Sequence, residues 1–167
     1  ADGKGKVVNL TESGFNDRRA KWILGGKAML WFSNRDGLKS VAQSGNAQSD
    51  VYALFFTQDA WDRFRLSKEE ASLLKEMEEK KEKADAPKDK DKKDVPKIEA
   101  LVIDWDGLSI RKAKLTIHSS SLVDALVSKD GETLYYLARF EKGMNLWTTN
   151  LRTKETKMLV ALNANSG

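Results

Sequence analysis

Two stretches fall into register: Trp22-Ile23-Leu24-Gly25-Gly26-Lys27-Ala28-Met29-Leu30-Trp31-Phe32-Ser33 and Val127-Ser128-Lys129-Asp130-Gly131-Glu132-Thr133-Leu134-Tyr135-Tyr136-Leu137-Ala138. Each runs from an apolar strand through a short turn ending in Gly to a charged residue and a second, strongly apolar strand. A small all-β unit that recurs is the mark of a solenoid or a propeller, because one unit cannot bury its own faces and must stack on its neighbours. The reading of the whole chain turns on this doubled hairpin.

Working outward, Arg19 to Leu24 and Ala28 to Ser33 read as a hairpin across Gly25-Gly26, a dipeptide suited to the positive φ of tight turns. Asn34-Arg35-Asp36-Gly37 closes the second strand, and Asp50 to Thr57 is a third strand of high β-propensity. Lys6 to Thr11 reads as a short strand at the end of an earlier unit. Strand character resumes at Ile98 to Trp105, turns at Asp106-Gly107 and continues at Ile110 to Ile117. The second unit follows as Leu122 to Ser128, Thr133 to Phe140, Asn145 to Asn150 and Lys154 to Leu162. Its third strand opens Asn145-Leu146-Trp147 where the first unit has Asp50-Val51-Tyr52.

Between the third and fourth strands of the first unit the pattern breaks. Ser67-Lys68-Glu69-Glu70 has the form of a capping box, and Leu73, Leu74 and Met77 recur at helical spacing. A helix over about 68–83 is expected, with Trp61, Phe64 and Leu66 anchoring it to the sheet. Residues 84–97 are Lys/Asp low complexity carrying both prolines, a composition expected to be mobile because it cannot offset the entropy of ordering. The expected fold is mainly β: two four-stranded antiparallel propeller-type blades, a partial β-propeller with one helical, charged insertion. The tail of a preceding blade occupies 1–11, the first blade 12–57 plus 98–117, the insertion 58–97 and the second blade 118–167. An amphipathic surface of Leu66, Leu73, Leu74 and Met77 is the candidate contact for a neighbouring domain or subunit.

Composition narrows the function. The chain has 167 residues, no cysteine and a formal charge of +4. Residues 68–97 carry ten Lys and ten acidic groups, which cancel and leave 19 basic against 15 acidic residues elsewhere. That surplus is scattered and forms no basic stripe, so no nucleic-acid partner is expected. No apolar run approaches the roughly 18–20 residues of a membrane span. Zero cysteines removes disulfides and thiolate metal sites. His118 stands beside Ser119-Ser120-Ser121 in sequence, but there is no Gly-x-Ser-x-Gly around them, and a turn histidine explains it. Asp104-Trp105-Asp106-Gly107 lacks the later ligands of a calcium loop and reads as a β-turn. No catalytic residue, metal site or cofactor is expected in this chain.

Asn9-Leu10-Thr11, Trp22 to Lys27, Phe32 to Gly37 and Asp50-Val51-Tyr52 together resemble the blade of the TolB and tricorn β-propellers, of general form NLT…WSPDGK…FSSDRDG…DIY. The stretch from Ser49 to Lys75 resembles the tricorn-like peptidases of the S41 serine-protease family. Ile23-Leu24-Gly25 departs from the usual Ser-Pro-Asp, and Val127 stands where Trp is typical. The resemblance implies a propeller portion of a processing peptidase, non-catalytic in itself, that gates or channels peptides and supports assembly. Its implied partners are the remaining blades, a PDZ-like module, a catalytic domain and peptide substrates, and its exposed blade faces and edges imply self-association. A periplasmic or envelope location goes with the family, while the cysteine count leaves the cytoplasm open. The alternative is a TolB-like module for protein–protein interaction.

Overall fold

In both units the second and third strands are the spine, since they alone are paired on both sides. The computed structural model describes residues 5, 7–39, 47–85, 100–140 and 143–164. One sheet holds β1 (Asp17–Ile23), β2 (Ala28–Ser33), β3 (Asp50–Phe55) and β4 (Lys112–Lys114), in that order. The other holds β5 (Ser121–Val127), β6 (Thr133–Phe140), β7 (Gly143–Asn150) and β8 (Thr156–Ala164). Every pairing is antiparallel. The described residues are thus mainly β, with two four-stranded sheets and two helices, α1 (Gln58–Arg65) and α2 (Lys68–Asp85), between β3 and β4.

The doubled hairpin folds twice in one register. Trp22 pairs with Met29 as Val127 pairs with Leu134, and Asp17 with Ser33 as Leu122 with Ala138. The third strands repeat the match: Trp31 faces Tyr52 as Tyr136 faces Trp147, and Ser33 faces Asp50 as Ala138 faces Asn145. Register is strongly specified wherever a strand has a buried face, because a one-residue slip turns every side chain over. Gly25 and Gly26, with φ of +63° and +92°, are the two central residues of the first turn, closed by Lys27 N–H donating to Leu24 O at 3.2 Å, and Leu24 before them also takes a positive φ of +54°. Positive φ is cheap only for the glycines. In the second hairpin Gly131 takes φ +76° and donates to Ser128 O at 3.0 Å.

The two sheets share one apolar core. Leu30, Phe32, Val51 and Phe55 of the first meet Leu122, Leu134, Tyr136 and Ala138 of the second, all buried. The opposite face of the first sheet, with Trp31, Tyr52, Leu54 and Phe56, is covered by Leu10, Ile103 and Leu108 of its own chain. The outer face of the second sheet is open, with Leu126 55% and Val160 44% exposed. Among the described residues no helix is long and apolar enough to cross a membrane.

Polar groups fasten this frame. Asp50, fully buried, accepts the Thr116 hydroxyl at 2.7 Å and the Ser119 hydroxyl at 2.6 Å, with Lys114 Nζ at 3.1 Å. Its counterpart Asn145 accepts Leu162 N–H at 2.9 Å, so both side chains tie a third strand to the run of chain after it. Arg111 is 2% exposed, and its guanidinium donates to four backbone carbonyls: Phe55 at 3.1 Å, Asp106 at 2.8 Å, Phe56 at 3.3 Å, and Asp104. Between the sheets, Lys21 Nζ donates to Asp124 and, at 3.2 Å, to Ala125 O.

Three expectations are corrected. Residues 7–11 form no strand (Lys6 lies outside the described residues): the Asn9 side chain accepts the Glu12 N–H at 3.1 Å, a local bond that competes with a ladder. Residues 100–105, expected within a strand over 98–105, form no strand, because β4 already occupies β3 from Tyr52 to Leu54; the Asp104 N–H donates to Phe56 O at 2.9 Å just beyond it, and residues 98 and 99 lie outside the description. The strand expected over 110–117 shrinks to Lys112–Lys114, preceded by a 3-10 turn over Leu108–Ile110. The helix expected over 68–83 runs from Lys68 to Asp85, and its capping box forms, with Ser67 N–H donating to Glu70 at 2.8 Å and Glu70 N–H to Ser67 Oγ at 3.2 Å. Of the Lys/Asp tract over 84–97, residues 86–97 lie outside the described residues.

Replacing Arg111 by Met strands several buried carbonyls, and urea denaturation is expected to show a loss of roughly 2–4 kcal/mol. A loss below about 1 kcal/mol would show that water replaces the guanidinium. The hydrogen bond from Lys21 holds the Asp124 carboxyl below its ordinary value. Such a group adds stability above its unfolded-state pKa and loses it as pH falls through the folded one. Asp124→Asn is therefore expected to be less stable than the parent at neutral pH, by less than about 1 kcal/mol for so exposed a pair. Thermal melts of the two should converge as pH falls below the ordinary aspartate range.

Candidate interaction site

The helical excursion is attached to both sheets by different chemistry. On the first sheet the attachment is aromatic. Thr57 caps α1, its hydroxyl accepting Ala60 N–H at 3.2 Å, and Asp104 accepts Gln58 N–H at 2.9 Å. This start turns Ala60, Trp61 and Phe64 toward the sheet, where Phe55 meets Trp61 at 5.5 Å and Phe64 at 4.6 Å between ring centroids.

On the second sheet the attachment centres on a guanidinium, with the Lys154 ammonium over the Phe64 ring at 5.7 Å beside it. Arg152, in the turn between β7 and β8, lies with its Nε 2.7 Å from both oxygens of Glu132. Its Nη1 donates to Leu66 O at 2.7 Å and Arg63 O at 3.2 Å. Those carbonyls belong to the last turn and C-cap of α1. The final carbonyls of a helix have no partner inside it, and a cation there also meets the negative end of the helix dipole. Arg152 is therefore a C-cap supplied from another sheet. Arg63 extends the array, reaching Asp59 at 3.1 Å and Glu78 of α2 at 2.7 Å. The bonds to Glu78 and Asp59 raise its pKa further above an already high value.

A cleft of about 380 Å³ lies between α2 and this turn, lined by Leu66, Leu74, Glu78, Glu132 and Arg152 among others. The structure divides the four candidate residues. Leu66 and Leu74 are half-buried and line the cleft, whereas Leu73 and Met77, one helical turn apart, are 60% and 51% exposed on the far side. Adjacent helical positions point about 100° apart, so Leu73 and Leu74 cannot serve one surface. Sequence reading missed α1 as a helix, and with it Arg63, Glu132 and Arg152. The Thr57-Gln58-Asp59 start, an N-cap followed by an acidic first turn, was the available signal. For Arg152 there was none.

His118 is exposed, and the neighbouring Ser119 donates its hydroxyl to Asp50 rather than to the imidazole. Asp104, beside the Asp106-Gly107 turn, supports the start of α1. Among the described residues no group of three His, Cys, Asp or Glu side chains converges as a metal site would require. The strand aromatics Trp31, Phe32, Tyr52 and Tyr136 are buried; Trp22 stands out at 61% exposed. Comparison of the sequence with family models finds no match, and comparison with curated proteins finds none either.

Arg152→Met is expected to loosen the excursion alone. Hydrogen exchange should show amides of α1 and α2 losing roughly ten- to a hundredfold protection while β2, β3, β6 and β7 keep theirs. Unchanged exchange in the helices would mean that the aromatic contacts suffice.

Proposed function

We propose that this chain is a non-catalytic, two-blade portion of a β-propeller from a tricorn-like S41 serine peptidase, which gates or channels peptides toward a distant active site and supports assembly. The observation that carries the reading is the shared register of the two ladders, with the pairs Trp22·Met29 and Trp31·Tyr52 matched by Val127·Leu134 and Tyr136·Trp147. Two meanders of one design, stacked face to face on a common core, are what adjacent blades provide. The open outer face of the second sheet suits a further blade, and in isolation the same face favours self-association. The helical excursion between β3 and β4 begins within the stretch, Ser49 to Lys75, whose residues resemble the tricorn-like branch. Ser119, the serine beside the only histidine, is committed to Asp50 and lends no support to local catalysis. The remaining blades, a PDZ-like module and a catalytic domain are the partners this reading requires, in the periplasm or envelope.

The purified chain is expected to leave unstructured peptides uncut over a prolonged assay. Reproducible turnover by pure material would overturn the reading. The coding sequence on either side separates it from a TolB-like interaction module: a downstream PDZ and peptidase domain favours the first, and a propeller without them the second.

A further inference from the structure

Trp22 departs from the burial of its neighbours. Phe56, the ring it packs against, is 0% exposed, while Trp22 is 61% exposed, with the ring centroids 5.3 Å apart. The buried ring holds the indole in place and leaves most of it facing solvent. Cavities of about 500 and 450 Å³ flank it on two sides. One is lined by Leu101 and Val102, 52% and 60% exposed, and the other by Leu126, 55% exposed. Between them lies the Gly25-Gly26 turn, where nothing stands within 4 Å of the position a Cβ would take at either glycine. Another chain can therefore approach this backbone closely.

The charge beside this groove has one sign available. Lys27 lines the first cavity and Lys129 the second, and neither makes an ion pair among the described residues. Asp59, the acidic residue of the first cavity, is already bridged by Arg63 at 3.1 Å. Lys21 in the second is bridged by Asp124. An apolar floor that continues past an indole, with two unpaired ammonium groups that also meet in a neighbouring cavity with Asp59 and Asp130, is complementary to a chain running across it. We infer that the groove binds an extended peptide segment whose bulky apolar residue sits on Trp22, with acidic side chains two positions to either side reaching Lys27 and Lys129. Side chains two apart lie on one face of an extended chain, which sets that spacing. The inference rests on the peptide-handling reading above and gives it a site and a sequence preference.

The test is a chemical-shift titration of the ¹⁵N-labelled full chain at low salt, following the Trp22 indole N–H, identified as the signal lost in Trp22→Ala. Acetyl-Glu-Ala-Phe-Ala-Glu-amide should shift it saturably. Acetyl-Gln-Ala-Phe-Ala-Gln-amide should bind at least roughly tenfold more weakly, since two charge-assisted contacts are lost, and acetyl-Glu-Ala-Ser-Ala-Glu-amide should leave the signal unmoved. Lys27→Gln, at an exposed position, should weaken the acidic peptide several-fold and leave the glutamine peptide unaffected, and added salt should act in the same direction. Equal titration by the acidic and glutamine peptides, or no saturable shift with millimolar acidic peptide, would overturn the inference. Peptide turnover with the groove intact would overturn only the non-catalytic reading, and a silent Trp22 in a chain without turnover would overturn only the groove.

Discussion

A four-stranded sheet with two apolar faces is unstable by itself, and that constraint organises this protein. Burial of apolar area is the main favourable term in folding, worth about 25 cal/mol per Å². Neither sheet can cover its inner face alone, so Phe32, Val51 and Phe55 of one must find Leu134, Tyr136 and Ala138 of the other. The first sheet then has a second face to cover, and it uses its own chain through Leu10, Ile103 and Leu108. Among the described residues no such cover reaches the outer face of the second sheet, where Leu126 and Val160 are exposed.

Where the apolar core leaves off, three charged side chains decide the course of the loops. Asp50 gathers hydroxyls and an ammonium at the start of β3. Arg111 gathers carbonyls at its end and draws the turn at 104–106 against the sheet. Arg152 does for the helical excursion what Arg111 does for that turn, but across the boundary between the sheets. Planar guanidinium groups suit this work because their donors are fixed in a fork and their charge is never lost. The excursion is therefore an attached part of the frame, riveted by aromatic rings on one side and capped by a cation on the other. Leu73 and Met77 are left pointing away from the frame, and Trp22 is left standing between two cavities.

Much of this was legible from local patterns. The repeated hairpin, the capping box at Ser67 and the strand opening at Asp50 depend on residues a few positions apart, and each forms as read, while the strand expected from Asn145 opens two residues earlier, at Gly143. The candidate site was legible only in part. Leu66 and Leu74 do meet in a cleft, yet their partner is an arginine 86 residues from Leu66 in sequence, beyond the reach of any periodicity. Trp22 read as a packing aromatic because its strand position in the repeat suggests one.

The sequence by itself therefore determined most of the elements and their order: strands of alternating or continuous apolar character, glycine turns that admit positive φ, and a charged helix with its cap, though not α1. Those are short-range consequences of backbone sterics and side-chain periodicity, which act before any distant contact forms. Only the tertiary structure decided which faces close and which remain open. It also decided that residues 100–105 cover a sheet instead of joining one, that Arg152 caps a helix it does not belong to, and that Trp22 faces solvent. Each of these depends on which surfaces compete for the same neighbour, and that competition is resolved only when the two sheets meet.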